Sequence, residues 1–242
     1  MGAKARLASL FALAAAAGLA GETLLLAERH CSRLEASLRD DFRVVLFTKP
    51  SLEEARAKVL EEKLRAAPEV ADVRFISADD ALAALKRDDP ELAESVALVG
   101  DNPLPAAFEV RPSPESLTHL GAWLDGAQRL ADWSDLRYKP GQVQAILRLR
   151  FYAHLLRMTL STLVCLIAGL ALGALSGPRP KAAPILWAVA GGAAGALVAI
   201  AIAWPLRRDE LLWAWPGPLS QACVLAACAT LGWSLPLWRD EA

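Results

Sequence analysis

Few side chains in this sequence have a type and spacing that could carry out chemistry. Two adjacent acidic pairs, Asp79–Asp80 and Asp88–Asp89, resemble paired carboxylates. Neighbouring residues on a helix point in different directions, so neither pair converges on one substrate. His119 and His154 have no identifiable catalytic partner, and the chain has no Gly-x-x-x-x-Gly-Lys-[Ser/Thr] phosphate-binding loop. The sequence therefore predicts no catalytic and no cofactor-binding residues, and any ATP chemistry would belong to another subunit.

The cysteines do not indicate a disulfide framework or a metal centre. Cys165, Cys223 and Cys228 lie in apolar segments, which leaves Cys31 without a partner in its own region. His30 next to Cys31 is a pair of ligand types, but a metal site needs further ligands and no second pair lies nearby. We expect no metal site, and we interpret this chain as a protein that is not an enzyme.

Four long apolar segments dominate the sequence, one before and three after a charged block. Each has close to the ~20 residues that a helix needs to cross about 30 Å of hydrocarbon. Backbone polar groups in lipid must be paired within their own segment, so these stretches should be helices. The first segment continues beyond Glu22, which favours a retained helix over a cleaved signal peptide. The predicted spans are residues 7–27, 155–175, 184–204 and 218–237.

The short loops predict the orientation of these spans. An even number of spans puts both termini on one side, and the basic residues of that side are Lys4, Arg6, Arg179, Lys181 and Arg239. The other short loop carries Arg207 and Arg208. This bias puts the termini in the cytoplasm and the charged block outside. The remaining segments are then a cytoplasmic tail 1–6, an outer domain 28–154, a cytoplasmic loop 176–183, an outer loop 205–217 and a cytoplasmic tail 238–242.

The outer domain consists of two similar halves. Phe42–Thr48 and Phe108–Val110 are rich in strand-forming residues, and each leads into a Pro-Ser turn and the start of a helix. Asp72–Phe75 in the first half corresponds to Asp135–Tyr138 in the second. Two strand–helix–strand units in series predict an α/β domain of duplicated βαβ units, a ferredoxin-like sandwich with helices on one face of four strands.

Local signals predict where the helices of this domain begin. Ser51 with Glu54 makes a capping box, and Ser77 opens a short helix over Ala78–Lys86. Ser113 can cap a helix whose first residue is Pro114, where the missing N–H costs nothing. The first helix should cover the sheet with apolar residues at helical spacing, namely Leu52, Ala55, Val59, Leu60 and Leu64.

An insertion, residues 87–101, separates the halves, and a linker helix, residues 142–154, leads into the second span. Within the insertion, Leu92, Val96 and Val99 can share one face of a short helix, with Leu98 beside it. These side chains either pack on the parent domain or form an apolar docking surface for another protein. We hypothesise that the linker helix couples tilting of the domain to movement of the bundle.

This order of elements, together with several local motifs, resembles the FtsX family of bacterial cell-division membrane proteins. The motifs are Val70–Ser77, then Ala81-Leu82, then Asn102–Val110, then the Leu136–Tyr138 strand that leads into the second span. The resemblance is strongest over residues 40–150.

The resemblance implies two partners and a role at the septum. Proteins similar to this family form the membrane half of an ABC-type complex with the cytoplasmic ATPase FtsE. Their outer domain engages a hydrolase of peptidoglycan or its activator. ATP turnover is thought to move that domain and switch on wall cleavage, without transport of a solute. The insertion would be the partner-binding lobe, and its residues would be Leu92, Val96, Leu98, Val99, Pro103 and Leu104.

The cytoplasmic side departs from the family pattern. The family carries a coupling helix after the second span, but here Ser176–Ala183 contains two prolines and cannot form it. Either Arg179 and Lys181 make a minimal ATPase-facing surface, or the ATPase has been lost. The two cations also fit a simple positive-inside signal. The alternative function is an ATPase-independent scaffold that recruits a wall hydrolase or its regulator.

Two pairs of glycines predict close contacts between helices. Gly169 with Gly173, and Gly191 with Gly195, have the Gly-x-x-x-Gly spacing that allows helix backbones to approach. They either pack helices within one subunit or join two copies. We expect a homodimer, which the family resemblance also implies.

Overall fold

The computed structural model describes residues 3–49, 54–67, 69–97, 102–131, 133–175, 182–205 and 215–234. The chain divides into two compact units. One comprises residues 36–147, and the other comprises residues 1–35 and 148–242. The division falls within two long helices, α1 (Ala3–Asp41) and α6 (Pro140–Leu175).

Residues 36–147 form a four-stranded antiparallel sheet with helices. Its strands are β1 (Val44–Phe47), β2 (Val70–Ile76), β3 (Ala107–Pro112) and β4 (Asp135–Arg137). The strand order is β2-β3-β1-β4, so the first strand of each half lies in the centre and the second strand lies at an edge. A helix separates the strands of each half, and the order of elements follows the predicted strand, helix, strand.

The helices of this unit lie between successive strands along the chain. They are α2 (Glu54–Arg65), α3 (Ala78–Asp88), α4 (Pro90–Ala97), a 3-10 helix (Ser116–His119) and α5 (Leu120–Leu130). Alternate strand residues turn one face of the sheet into the core, where Leu46 pairs with Phe108 and Val44 with Val110. Trp123 of α5 and Leu64 of α2 complete this core.

The predicted inner face of α2 was wrong at two positions. Val59 is 51% exposed and Ala55 is also exposed, whereas Ala57 and Leu64 are buried. Residues 57, 60 and 64 recur at intervals of three and four, which is the spacing of one helical stripe, and Val59 lies off that stripe. Leu52 and Ser51 lie outside the described residues, so the capping box remains a prediction.

The two other predicted helix starts had different outcomes. Ser77 caps α3, because its Oγ accepts a hydrogen bond from the N–H of Asp80 at 3.1 Å, and this prediction is confirmed. Ser113 Oγ accepts from the N–H of Ser116 at 3.3 Å, but Pro114 is not the first helical residue. The 3-10 helix begins at Ser116 instead, because the Ser116 hydroxyl donates to the carbonyl of Glu69 at 3.0 Å and fixes that turn against the end of the first half.

The other unit is helical and apolar. Three helices of the described chain are long and apolar enough to cross a membrane: α1, α6 and α7 (Ala182–Ala203). The predicted first span ended at residue 27, but α1 continues as a helix to Asp41. Within the described residues α8 covers Pro218–Ser234, which is 17 residues, so a fourth span remains a prediction.

Candidate functional site

The described part of the insertion consists of the end of α3 and the whole of α4, and these two helices form a helical pair. Asp89 separates the two helices, and its Oδ1 accepts a hydrogen bond from the N–H of Leu92 at 3.0 Å. Pro90 then occupies the first helical position of α4, where its missing N–H is not needed. The acidic pair Asp88–Asp89 therefore ends one helix and caps the next.

Asn102 connects the segment that leads into β3 with the beginning of α3. Its Nδ2 donates to the carbonyl of Ala78 at 2.8 Å, and its Oδ1 accepts from the N–H of Leu104 at 3.1 Å. One side chain thus fixes both the first turn of α3 and the Asn-Pro-Leu-Pro segment. The asparagine explains why this segment can lead directly into β3 with little regular structure of its own.

The predicted docking residues of the insertion have unequal exposure. Leu92 is 50% exposed and Pro103 is exposed, whereas Val96 and Leu104 are half-buried. Leu98 and Val99 lie outside the described residues. The buried residue of α4 is Ala93, at 3% exposure, which was not among the predicted residues. The α4 face that carries Leu92 is therefore the one open to another molecule.

Two ion pairs join α1 to α6 within the helical unit. Arg157 Nη2 lies 2.8 Å from Glu28 Oε1, and Arg150 Nη2 lies 2.9 Å from Glu35 Oε1. Both glutamate side chains are largely buried, at 12% exposure. Ser32 Oγ also donates to Glu28 Oε1 at 3.2 Å. We call these two contacts the α1–α6 ion pairs.

The spacing of these residues gives the α1–α6 ion pairs a regular geometry. The two glutamates are seven residues apart, and so are the two arginines, so each pair recurs after two helical turns of antiparallel helices. Sequence reasoning missed them because it ended the first helix at residue 27 and assigned the charges beyond it to the outer domain. The heptad spacing of opposite charges on the two segments was the signal that could have revealed them.

A buried carboxyl group lies between α1 and α8. Glu22 has 0% exposure, and its Oε1 accepts a hydrogen bond from Gln221 Nε2 at 3.4 Å. Its Oε2 is buried and has no hydrogen-bond partner among the described residues. The side chain of Glu22 therefore points at α8 within the helical unit.

The two predicted glycine pairs occupy different environments. A Cβ at Gly191 would meet the carbonyl oxygen of Phe11, and one at Gly195 would meet that of Ala15, so both glycines allow close packing on α1. A Cβ at Gly169 or Gly173 would meet none of the described residues within 4 Å. The first pair packs helices of one chain, and the second pair lies on an open face of α6.

The structure describes only some of the remaining predicted sites. Arg179 and Lys181, the predicted ATPase-facing residues, lie outside the described residues. In the part of the chain that the structure describes, no three His, Cys, Asp or Glu side chains are grouped to hold a metal ion.

At the end of the sheet, hydrogen bonds from Arg137 and from the N–H of Leu136 lower the pKa of the exposed carboxyl of Asp135.

Comparison with known proteins identifies the sheet-containing unit. Residues 41–132 match the family described as the FtsX extracellular domain. No curated protein matches the chain. The matched range begins at the end of α1 and includes β1 to β3, the insertion and α5.

FtsX proteins are non-catalytic, permease-like components of cell division, and they normally act with the ATPase FtsE. The apolar helices are compatible with a membrane protein that carries an extracellular domain. The match over residues 41–132, together with the local motifs of the strands, supports an FtsX-family cell-division protein.

Proposed function

We propose that this chain is the membrane subunit of an ABC-type cell-division complex. It relays ATPase-driven conformational change to an extracytoplasmic activator of peptidoglycan hydrolases, or to the hydrolase itself. The observation that carries this proposal is the α1–α6 ion pairs. Two helices joined by charged contacts seven residues apart resist sliding past each other better than two helices in apolar contact alone.

The proposed topology follows the sequence prediction. Four spans, two cytoplasmic termini and an outer domain of duplicated βαβ units with a ferredoxin-like fold would lie in the bacterial plasma membrane. The strand order β2-β3-β1-β4, with antiparallel pairing throughout, supports that fold. Three long apolar helices support the membrane location.

The proposed partner surface is the exposed side of the insertion. Leu92 and Pro103 offer apolar area, and Val96, Leu98, Val99 and Leu104 extend it in the sequence. Leu92→Glu should abolish capture of the outer partner and leave the fold intact. Ala83→Glu, at an exposed position of α3, is the matched control and should bind normally.

The proposed ATPase contact is the loop that carries Arg179 and Lys181. Copurification in mild detergent with an FtsE-like ATPase of the same bacterium tests it. We expect a complex with the full chain and a loss of it in an Arg179→Ala, Lys181→Ala variant. Arg239→Ala, a cation of the predicted cytoplasmic tail, should retain the ATPase. Septal localisation without any copurifying ATPase would overturn the relay and favour the ATPase-independent scaffold.

We also propose that two copies meet through α6. From Leu155 to Gly173 none of its side chains is buried, and both Gly169 and Gly173 lie on open surface. Close approach of two such faces is what the Gly-x-x-x-Gly spacing permits. Gly169→Leu together with Gly173→Leu should convert a dimer to a monomer in light scattering of the detergent-solubilised chain. An unchanged dimer would remove α6 as the interface.

A further inference from the structure

A groove of about 550 Å³ lies in the helical layer of residues 36–147. The end of α2 and the length of α5 line it, and the apolar residues Leu64, Trp123 and Ala127 are among its lining residues. None of the described docking residues, Leu92, Val96, Pro103 and Leu104, lines this groove. It is therefore a second surface of the outer unit, with its own walls and its own chemistry.

A row of residues on α5 keeps the groove open. Ala122, Gly126 and Leu130 are spaced by four, all three line the groove, and all three are exposed. A Cβ at Gly126 would meet nothing within 4 Å, and Leu130 is 44% exposed at the end of the row. The row covers about 12 Å along α5, since a helix rises about 1.5 Å per residue. This length matches two turns of a second helix.

One end of the groove is acidic, and hydrogen bonds hold its backbone in place. Glu69 and Glu115 line it, both are exposed, and no Lys or Arg is among the described lining residues. The carbonyl of Glu69 accepts hydrogen bonds from the N–H of Ser113 at 2.7 Å and from Ser116 Oγ at 3.0 Å. These bonds tie the backbone of Glu69 to the turn that contains Glu115, so the two carboxylates are carried by neighbouring, constrained backbone segments.

We propose that this groove binds an amphipathic helix of an extracytoplasmic partner protein. Small side chains at Ala122 and Gly126 accept apolar residues of that helix at intervals of three or four, which is the helix-in-groove mode of recognition. Lys or Arg side chains at one end of the bound helix meet Glu69 and Glu115, and this complementarity sets its direction in the groove. The inference rests on the proposed function only in assigning the helix to an outer protein.

The test uses the full chain in nanodiscs of zwitterionic lipid. The probe is a fluorescent, stapled helical peptide with leucines along one face and lysines elsewhere, and its twin carries glutamates in place of the lysines. Fluorescence anisotropy should show that the lysine peptide binds and that the glutamate peptide binds at least about tenfold more weakly. A Glu69→Gln, Glu115→Gln variant should lose most of this preference and most of the salt dependence of binding.

A matched pair of glycine substitutions distinguishes binding in the groove from binding elsewhere on the surface. Gly126→Leu should weaken binding of the lysine peptide at least about tenfold, because the new side chain fills the groove. Gly121→Leu should leave binding unchanged, since Gly121 is equally exposed on α5, has equal open space and does not line the groove. Both variants replace a helical glycine by a stronger helix former, so their unfolding temperatures should not fall.

Equal binding of the two peptides, or wild-type affinity in Gly126→Leu, would overturn the inference. Equal weakening by Gly121→Leu and Gly126→Leu would overturn it too, because the loss would then not depend on the groove. The proposed function fails by a different measurement. Its test is copurification with the ATPase through the cytoplasmic loop, which neither glycine substitution alters.

Discussion

Arg157 of α6 donates to Glu28 of α1 at 2.8 Å, and a second Arg–Glu contact of the same kind recurs one heptad away. The carboxylate of Glu28 is largely buried, whereas the guanidinium of Arg157 is mostly exposed. This asymmetry means that the arginine gives up little hydration while it neutralises a carboxylate that solvent hardly reaches. In its exposure the contact therefore lies between a surface ion pair and a fully buried one.

The first prediction concerns the energy of this contact. Glu28→Gln and Arg157→Gln should each lower the unfolding temperature, and the double variant should lose less than the sum of the two. We expect a coupling energy of about 1 kcal/mol from the double-mutant cycle in detergent, since one partner is exposed to solvent. Arg148→Gln, an exposed arginine on the same helix, is the control and should have little effect. Strict additivity would show that the pair contributes nothing.

The second prediction concerns the packing of α7 on α1. Gly195→Ala places a methyl group against the backbone carbonyl of Ala15, which cannot move as freely as the end of a side chain. We expect a loss of about 1–3 kcal/mol of stability, typical of overpacking. The matched control is Gly141→Ala on α6, where the added methyl meets none of the described residues within 4 Å and stability should not fall. Thermal unfolding of both variants in the same detergent measures this loss. Equal stability of the two variants would contradict the close packing of α7 on α1.

The third prediction concerns the buried carboxyl group of Glu22. Gln221→Leu removes its hydrogen-bond donor and leaves both carboxyl oxygens unpaired in the bundle. An unpaired buried polar group costs about 1–3 kcal/mol, so this variant should unfold at a lower temperature. Glu22→Leu added to Gln221→Leu should restore stability, because no unpaired polar atom remains. If the double variant is less stable than Gln221→Leu alone, the contact between α1 and α8 is not as described.

Short-range signals in the sequence predicted much of the outer unit. The Ser77 cap, the position of α3 and the order of strands and helices depend on neighbouring residues, which a single sequence displays directly. The inner face of α2 was assigned wrongly because Val59 is as apolar as the residues that are buried, and only the position of the helix on the sheet decides between them.

Contacts between residues far apart in the chain could not be predicted from local sequence signals. The hydrogen bond from Asn102 to Ala78, the buried position of Glu22 and the groove between α2 and α5 join residues that are far apart in the chain. The α1–α6 ion pairs also join distant residues, but their heptad spacing is visible in the sequence once α1 is extended to Asp41. A prediction that ends a helix where charged residues follow an apolar segment misses this continuation of α1.

The most direct test of the relay is charge reversal at both α1–α6 ion pairs in growing cells. A chain with Glu28→Arg and Glu35→Arg should still bind the ATPase but should fail to activate wall hydrolysis, measured as release of labelled peptidoglycan and as chains of unseparated cells. Adding Arg150→Glu and Arg157→Glu should restore both readouts, because the opposite charges then face each other again. Normal hydrolysis with the charge-reversed chain, at wild-type levels in the membrane, would contradict the proposal that these two helices carry the signal.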